Sequence, residues 1–349
     1  MDKNKKENEV NEKELSASND YSKYGIKDVP KFTKTTALGK TKTFAGLFPK
    51  EWLFVIVSII NITTAIGLTL YRMIVVVQSE DSDSPDFTFT LLLLINAVFC
   101  YFYVLHGVLR ERVFELYAFM AAILVVTLYC LLEYFVFNPS RQTTVKLVRL
   151  ILACLLAPPN IFLAFIVSKN FGYLEFRIVG ASKELQRLYE QAAIFSCLLK
   201  FDLQATSSIV ILALEDGTQV STLETVSLAI GLPYSLMWCL LGWLTLRREL
   251  KYGTITFAVL GFIKPCYYVY KIVREYVKQQ DPDVPTTDTI VYSIIAAVSI
   301  GLLVWAMLMI ELWFVYKNFN KGLKSKVFTT RTATNDVNET SGLLRTSRS

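Results

Sequence analysis

Long apolar runs separated by short polar segments dominate the chain between residues 51 and 316. Eight runs approach or exceed the roughly 20 residues that an α-helix needs to cross a bilayer core. Lipid offers no partners to free backbone N–H and C=O groups, so the runs predict helices. The predicted fold is all-α, a polytopic integral membrane helix bundle of about eight transmembrane helices. The runs are Trp52–Val77, Phe87–Leu109, Leu116–Phe137, Lys146–Val167, Ala192–Leu214, Thr225–Leu246, Thr254–Val273 and Ile290–Tyr316.

The two ends of the chain are polar and differ sharply from the apolar segment 51–316. Residues 1–50 are rich in lysine and poor in aromatic residues, which predicts a disordered tail. Segment 27–50 holds six lysines and one aspartate, and this charge predicts contact with anionic lipid headgroups. Residues 317–349 predict a second basic, disordered tail.

The distribution of lysine and arginine predicts the orientation. With eight spans and a cytoplasmic N-terminus, 27 basic residues fall in cytoplasmic segments and 5 in the opposite loops. This asymmetry predicts that both termini are cytoplasmic. It also explains the net charge of +6 without a nucleic-acid partner.

Composition narrows the chemistry of the chain. Only 19% of the residues are charged and 53% are hydrophobic, whereas soluble domains carry about 25% charged residues. All six cysteines lie inside apolar runs without a CxxC pattern, which favours buried thiols over disulfides or a metal site. A single histidine and the lack of catalytic motifs argue against an enzyme. No cofactor is expected.

Charged residues inside the predicted spans are the first candidates for function, because burying them in lipid is costly. At a rise of about 1.5 Å per residue, Asp202 and Lys264 lie at one level near the midplane. We therefore expect them to pair across the fifth and seventh spans, beside a substrate or ion path. Lys200 and Gln204 share a helix face and belong to the same predicted path, and Lys200 needs a partner other than Asp202. The candidates are Glu133, Gln204, Asn160 or a water-filled path.

Prolines gather at the same depth. Pro158 and Pro159 precede Asn160 in the fourth span, Pro233 lies in the sixth, and Pro265 follows Lys264. Proline kinks or breaks a helix, and broken midplane helices expose backbone groups to substrates in many transporters. Pro158, Pro159 and Asn160 therefore join the predicted path. The sequon at Asn61 falls inside the first span, where glycosylation is not expected.

The C-terminal tail contains a short sorting motif. Glu339, Leu343 and Leu344 match the Asp/Glu-x-x-x-Leu-Leu pattern and resemble the acidic dileucine signal that clathrin-adaptor proteins recognise on endosomal and lysosomal cargo. The resemblance implies an endosomal or lysosomal location, and the plasma membrane is the alternative.

Two weak internal matches suggest a 4+4 repeat, 51–169 and 182–316. Gly107–Arg112 resembles Gly242–Glu249, and Lys169–Phe171 has the same three residues as Lys317–Phe319. Two halves of four spans each would form a parallel repeat.

Two functions from different classes fit the sequence. The midplane charges and prolines favour a transporter or channel-like protein for a small solute or ion. The alternative is a membrane receptor, scaffold or trafficking protein that acts through its cytoplasmic tails and packs its polar groups without a cavity.

Overall fold

The computed structural model describes residues 33–36, 39–78, 85–132, 134–135, 144–172, 174–176, 180, 182–212, 222–279 and 288–321. Within these ranges the chain is almost entirely helical, apart from a short antiparallel hairpin of β1 (Thr33–Thr36) and β2 (Gly39–Lys42). The long helices are α1 (Pro49–Gln78), α2 (Pro85–Arg110), α3 (Val113–Leu132), α4 (Thr144–Lys169), α5 (Lys183–Leu212), α6 (Thr222–Arg248), α7 (Lys251–Gly261), α8 (Ile263–Gln279) and α9 (Asp288–Lys317).

The architecture is that of a multi-pass membrane protein. Seven helices of the described chain, α1 to α6 and α9, are long and apolar enough to cross a bilayer. Large apolar side chains such as Phe162 and Met237 are exposed on the outside of the helices. A soluble protein rarely exposes such a surface over a wide area, so lipid is the natural solvent for it.

The seventh predicted span is divided into two helices. α7 ends at Gly261, and α8 begins at Ile263. Pro265 has no N–H to donate to the Gly261 carbonyl one turn earlier, so the helix cannot continue regularly here. Neither piece is long enough to count as a span alone, and eight crossings therefore remain a prediction that requires α7 and α8 to cross together.

The helices form two four-part bundles. In the first bundle, α1 packs on α2, α2 on α3, α3 on α4, and α4 returns to α1. In the second bundle, α5, α6, the α7–α8 pair and α9 pack in the same cyclic order. Phe54 and Phe119 are fully buried in the first core, and Phe195 and Phe257 in the second. α5 joins the bundles by packing against α2 and α3.

One end of the molecule holds the start of α1 and the end of α9, and we call it the tail face. Here the Leu174 N–H donates to Glu111 at 2.7 Å, and the Arg112 guanidinium covers the Tyr189 ring at 4.7 Å. Tyr189 shares the second core with Phe319, just beyond α9. The hairpin is fastened to this face by Lys42, which is buried and pairs with Glu51 (2.9 Å) and Glu111 (2.6 Å).

Candidate functional site

Asp202 on α5 and Lys264 on α8 are in direct contact in the second bundle, as the depth count predicts. Lys264 Nζ also donates to Thr206 Oγ1 at 3.1 Å and lies 4.0 Å from the centre of the Trp238 ring. The Thr206 hydroxyl donates to the Asp202 carbonyl at 2.8 Å. It therefore accepts the hydrogen bond that joins it to the Tyr268 hydroxyl at 2.9 Å. We call these five residues the α5–α8 polar cluster.

The two charges of this cluster are enclosed. Asp202 is 1% exposed and Lys264 is 3% exposed. Asp202 Oδ1 has no hydrogen-bond partner among the described residues. A buried ion pair is costly to desolvate, and removing one partner leaves the other charge uncompensated. The geometry thus suits a group that fixes the position of α8 on α5.

The helix break beside Lys264 is held by aromatic side chains. Carbonyl groups that a regular helix would satisfy internally need other donors at a break. Two such carbonyls receive side-chain hydrogen bonds, Leu260 from the Tyr234 hydroxyl (2.7 Å) and Gly261 from Trp305 Nε1 (2.8 Å). Trp238 Nε1 donates to the Phe257 carbonyl one turn before the break (3.0 Å). These hydrogen bonds therefore stabilise the break, and the break positions Lys264.

Among the described residues, Lys200 pairs with a carboxylate that the sequence did not suggest. Its Nζ contacts the Glu115 carboxylate and lies 3.5 Å from His106 Nδ1. His106 and Glu115 share a hydrogen bond of 2.5 Å. Glu115 stands in the first turn of α3, near the tail face. Lys200 reaches it because a long lysine side chain can extend towards the interface. This trio joins α2, α3 and α5, away from Asn160.

Gln204 belongs to a polar link between the bundles. It accepts a hydrogen bond from the Tyr103 hydroxyl at 2.9 Å and donates to Asn96 Oδ1 at 2.6 Å. Asn96 in turn donates to Ser208 at 3.3 Å and to the Leu92 carbonyl at 2.8 Å. Gln204 therefore lies between the α5–α8 polar cluster and the interior of the first bundle.

Pro158, Pro159 and Asn160 do not approach Asp202 or Lys264 as the common depth suggested. α4 continues as a helix through both prolines, whose side chains are exposed on the outer surface. Asn160 points inward, is fully buried, and accepts a hydrogen bond from Ser58 at 2.9 Å. Residues at equal depth can face opposite ways, because depth does not fix direction around the helix axis.

A cavity of about 120 Å³ lies inside the first bundle, between α1, α2, α3 and α4. An engineered cavity of about 150 Å³ holds benzene, so this one has room for a solute of a few heavy atoms. Its wall is mainly apolar, with a smaller contribution from polar side chains. The polar ones are Asn61, Thr64, Thr69, Asn96, Thr127 and Arg149, with the thiols of Cys100 and Cys130.

The sequence did not reveal this cavity. Asn61 and Asn96 are ordinary polar residues within predicted spans, and only the volume left between four helices makes them neighbours of one space. In the sequence these two amides stand in long apolar runs like many other polar residues, and Asn61 is notable only as part of a sequon. Asn96 connects the cavity wall to Gln204.

Other predicted features lie elsewhere. Glu339, Leu343 and Leu344 of the sorting motif, Glu133 and most of the N-terminal tail are outside the described residues. All six cysteines are free thiols. No group of three or more possible metal ligands occurs in the part of the chain that the structure describes.

Comparisons with known proteins agree with the division into two bundles. No curated protein and no solved structure matches the chain significantly. One family model matches residues 38–169 and 179–314, which correspond to the first and second bundles. The match covers most of the chain, and the protein therefore belongs to the DUF7789 family, described as a domain of unknown function.

Proposed function

We propose that this membrane protein carries a small polar solute across the bilayer and holds it in the cavity of the first bundle. The proposal rests on the position of the cavity between the two membrane faces. Phe119 lies about 9 Å along α3 from the tail face, and Arg149 lies about 8 Å along α4 from the opposite face. The space between them occupies the membrane interior, where polar groups are rare and functional by default.

In this proposal the α5–α8 polar cluster stabilises the second bundle and does not bind the solute. Lys264 and Asp202 pair with each other and are almost fully enclosed. A solute could not contact them without displacing the aromatic side chains around them. The hydrogen bond from Gln204 to Asn96 joins the cavity wall to α5, the helix that also carries Asp202 and Thr206 of the cluster. Movement of one bundle against the other would therefore disturb both regions. A direct path through Asp202 and Lys264 remains the competing prediction.

The orientation and location belong to the same proposal. The excess of lysine and arginine puts both tails and the tail face in the cytoplasm, and the basic tails bind anionic headgroups there. The motif at Glu339 to Leu344 directs the protein to endosomes or lysosomes through adaptor proteins. No enzymatic step and no cofactor form part of the proposal.

The test uses the full chain in proteoliposomes. Stopped-flow light scattering follows re-swelling after mixing with hyperosmotic urea, or with potassium methanesulfonate in the presence of valinomycin. We expect one of the two solutes to enter faster than in protein-free vesicles. Cys100→Trp places a bulky ring in the cavity wall and should reduce entry to the protein-free rate.

The matched control is Cys266→Trp, because Cys266 is an exposed thiol on α8. It should leave solute entry unchanged. Entry of both solutes at the protein-free rate, with properly folded protein, would reject transport. Saturable binding without entry, abolished by Cys100→Trp, would instead support the receptor alternative.

A further inference from the structure

An open groove runs along the outside of the first bundle, between α3 and α4, and we call it the α3–α4 groove. Its volume is about 610 Å³, within the range of about 300–1,000 Å³ that ligand sites occupy. The side chains that line it are almost entirely apolar. The groove lies directly outside the cavity, because Thr127 and Ala157 belong to the walls of both.

On α4 the groove follows one face of the helix. Its lining residues recur at intervals of three or four positions, the spacing of neighbours on one helix face, and they include Phe165, Phe162, Pro158 and Cys154. The next residue of this face towards the tail face is Lys169, at the end of α4. Lys169 is exposed, and its Nζ lies 4.4 Å from the centre of the Phe165 ring. The groove therefore ends at the tail face beside a cation.

On α3 the facing wall has the same order. Met120, Leu124 and Thr127 line the groove, and Tyr117, one turn before Met120, continues their face towards the tail face. Tyr117 is exposed. A tyrosine near a membrane surface places its ring against lipid and its hydroxyl near water. The two helices thus bring a phenol and an ammonium group to the same end of the groove.

The groove has the height of one leaflet. Phe165 and Cys154 are eleven positions apart, or about 16 Å along α4, and half of a bilayer core is about 15 Å thick. Phe165 lies about 6 Å along the helix from Lys169. The groove therefore extends from near the tail face to about the middle of the membrane. This height matches one acyl chain, whereas a partner helix that crosses the bilayer would meet both leaflets.

The charge at the tail-face end favours one class of lipid. The carboxylates of Glu111 and Glu115 at this face are paired with Lys42 and Lys200, so they are engaged away from Lys169. A basic group between spans at a membrane surface suits an anionic headgroup. A sterol offers only a neutral hydroxyl there, and it gains nothing from the ammonium charge.

We propose that the α3–α4 groove binds one anionic phospholipid, with one acyl chain in the groove and the headgroup phosphate at Lys169 and Tyr117. The chain covers the outer side of the wall at Thr127 and Ala157, so the bound lipid closes the cavity towards the bilayer. This site is distinct from contact between the basic tails and headgroups, because it lies between two spans. It does not depend on solute transport.

The test uses the full chain in phosphatidylcholine nanodiscs that contain a small fraction of phosphatidylserine with a diazirine in one acyl chain. After irradiation, mass spectrometry of the peptides locates the adducts. We expect adducts on α3 and α4 within the groove. Added unlabelled phosphatidylserine should remove them, whereas the same amount of phosphatidylcholine with the same acyl chains should not.

Two pairs of variants separate this site from ordinary lipid contact. Lys169→Gln should lower the adduct yield about fivefold. Its matched control is Lys317→Gln, which removes a cation that lies 4.8 Å from the Trp313 ring at the end of α9. Leu124→Trp fills the groove and should abolish the adducts. Leu155→Trp, at an exposed leucine of α4 outside the groove, should leave them unchanged.

Three results would overturn the proposal. Adducts spread evenly over the lipid-facing helices, or adducts that survive Leu124→Trp in a folded protein, would show bulk lipid contact and no site. Adducts that phosphatidylcholine removes as well as phosphatidylserine, or that Lys169→Gln leaves unchanged, would contradict the anionic headgroup. Removal by cholesterol alone would contradict a phospholipid. Lys169 is exposed, so its variant keeps the test decisive if the tryptophan variant does not fold.

Discussion

At the scale of single residues, the main result is the pairing of Asp202 with Lys264. Depth counting predicted it because the helix rise is fixed and both residues lie far from any interface. The same count did not identify Glu115 as a partner of Lys200, whose long side chain reaches it close to the tail face. It also failed for Pro158 and Pro159, because depth does not tell which way a side chain faces.

Lys264→Met should be strongly destabilising, because it leaves the Asp202 carboxylate buried without its cation. The expected loss in the free energy of unfolding is about 3–5 kcal/mol, measured by denaturant unfolding of the purified protein in detergent micelles. The double variant Lys264→Met with Asp202→Asn should recover most of this loss.

Solute entry in the double variant shows whether the Asp202–Lys264 pair only stabilises the second bundle or also lies in the solute path. If the pair is a support, the stable double variant retains entry at nearly the native rate in proteoliposomes. Loss of entry from a double variant of native stability would place Asp202 and Lys264 in the solute path.

At the scale of the helix, the broken seventh span was predictable in part. Pro265 predicts a kink, but the hydrogen bonds that stabilise the helix break could not be derived from the sequence. Carbonyl groups at the break and one turn before it receive donors from Tyr234, Trp238 and Trp305, which lie on two other helices. Such long-range partners follow from packing, and no local pattern in the chain encodes them.

Trp305→Phe should weaken this break, because the Gly261 carbonyl loses its indole donor. An unsatisfied buried group costs about 1–3 kcal/mol. Pro265→Ala restores an N–H one turn after Gly261 and should offset part of the cost. Denaturant unfolding of both single variants and the double variant measures the coupling, and additive effects would contradict this account of the break.

Close packing of α6 against its neighbours predicts a second effect. A Cβ at Gly242 would lie 2.6 Å from Phe257 and 2.9 Å from Leu199. Gly242→Ala should therefore cost about 1–3 kcal/mol through overpacking, seen as a lower unfolding midpoint. The control is Gly67→Ala on α1, where nothing lies within 4 Å. Equal stability of the two variants would show that α5, α6 and α7 are not so closely packed.

At the scale of the whole molecule, hydropathy predicted the helical membrane class well, because continuous apolar runs leave few alternatives. The 4+4 repeat stays a prediction that rests in the sequence on two short matches. The structure adds a glutamate of positive φ after both α2 and α6 and an edge-to-face phenylalanine pair in each core. The first-bundle cavity was invisible, since it arises from small residues such as Cys100 and Ala157 on different helices.

The tails provide a test at this scale. Epitope tags at both termini should be inaccessible to antibodies in intact cells that expose the protein at their surface, and accessible after permeabilisation. The reason is the excess of lysine and arginine on the tail side. Labelling of either tag in intact cells would contradict the predicted orientation.

The thiols of Cys100 and Cys130 in the cavity wall allow a direct measurement of whether solute passes through the first-bundle cavity. Methyl methanethiosulfonate adds a methylthio group to each accessible thiol of the folded protein. We predict that the treated protein loses solute entry in proteoliposomes, whereas the Cys100→Ala, Cys130→Ala variant is insensitive. Two results would contradict passage through this cavity. One is undiminished solute entry when mass spectrometry shows that both thiols are modified, and the other is failure of the reagent to reach either thiol.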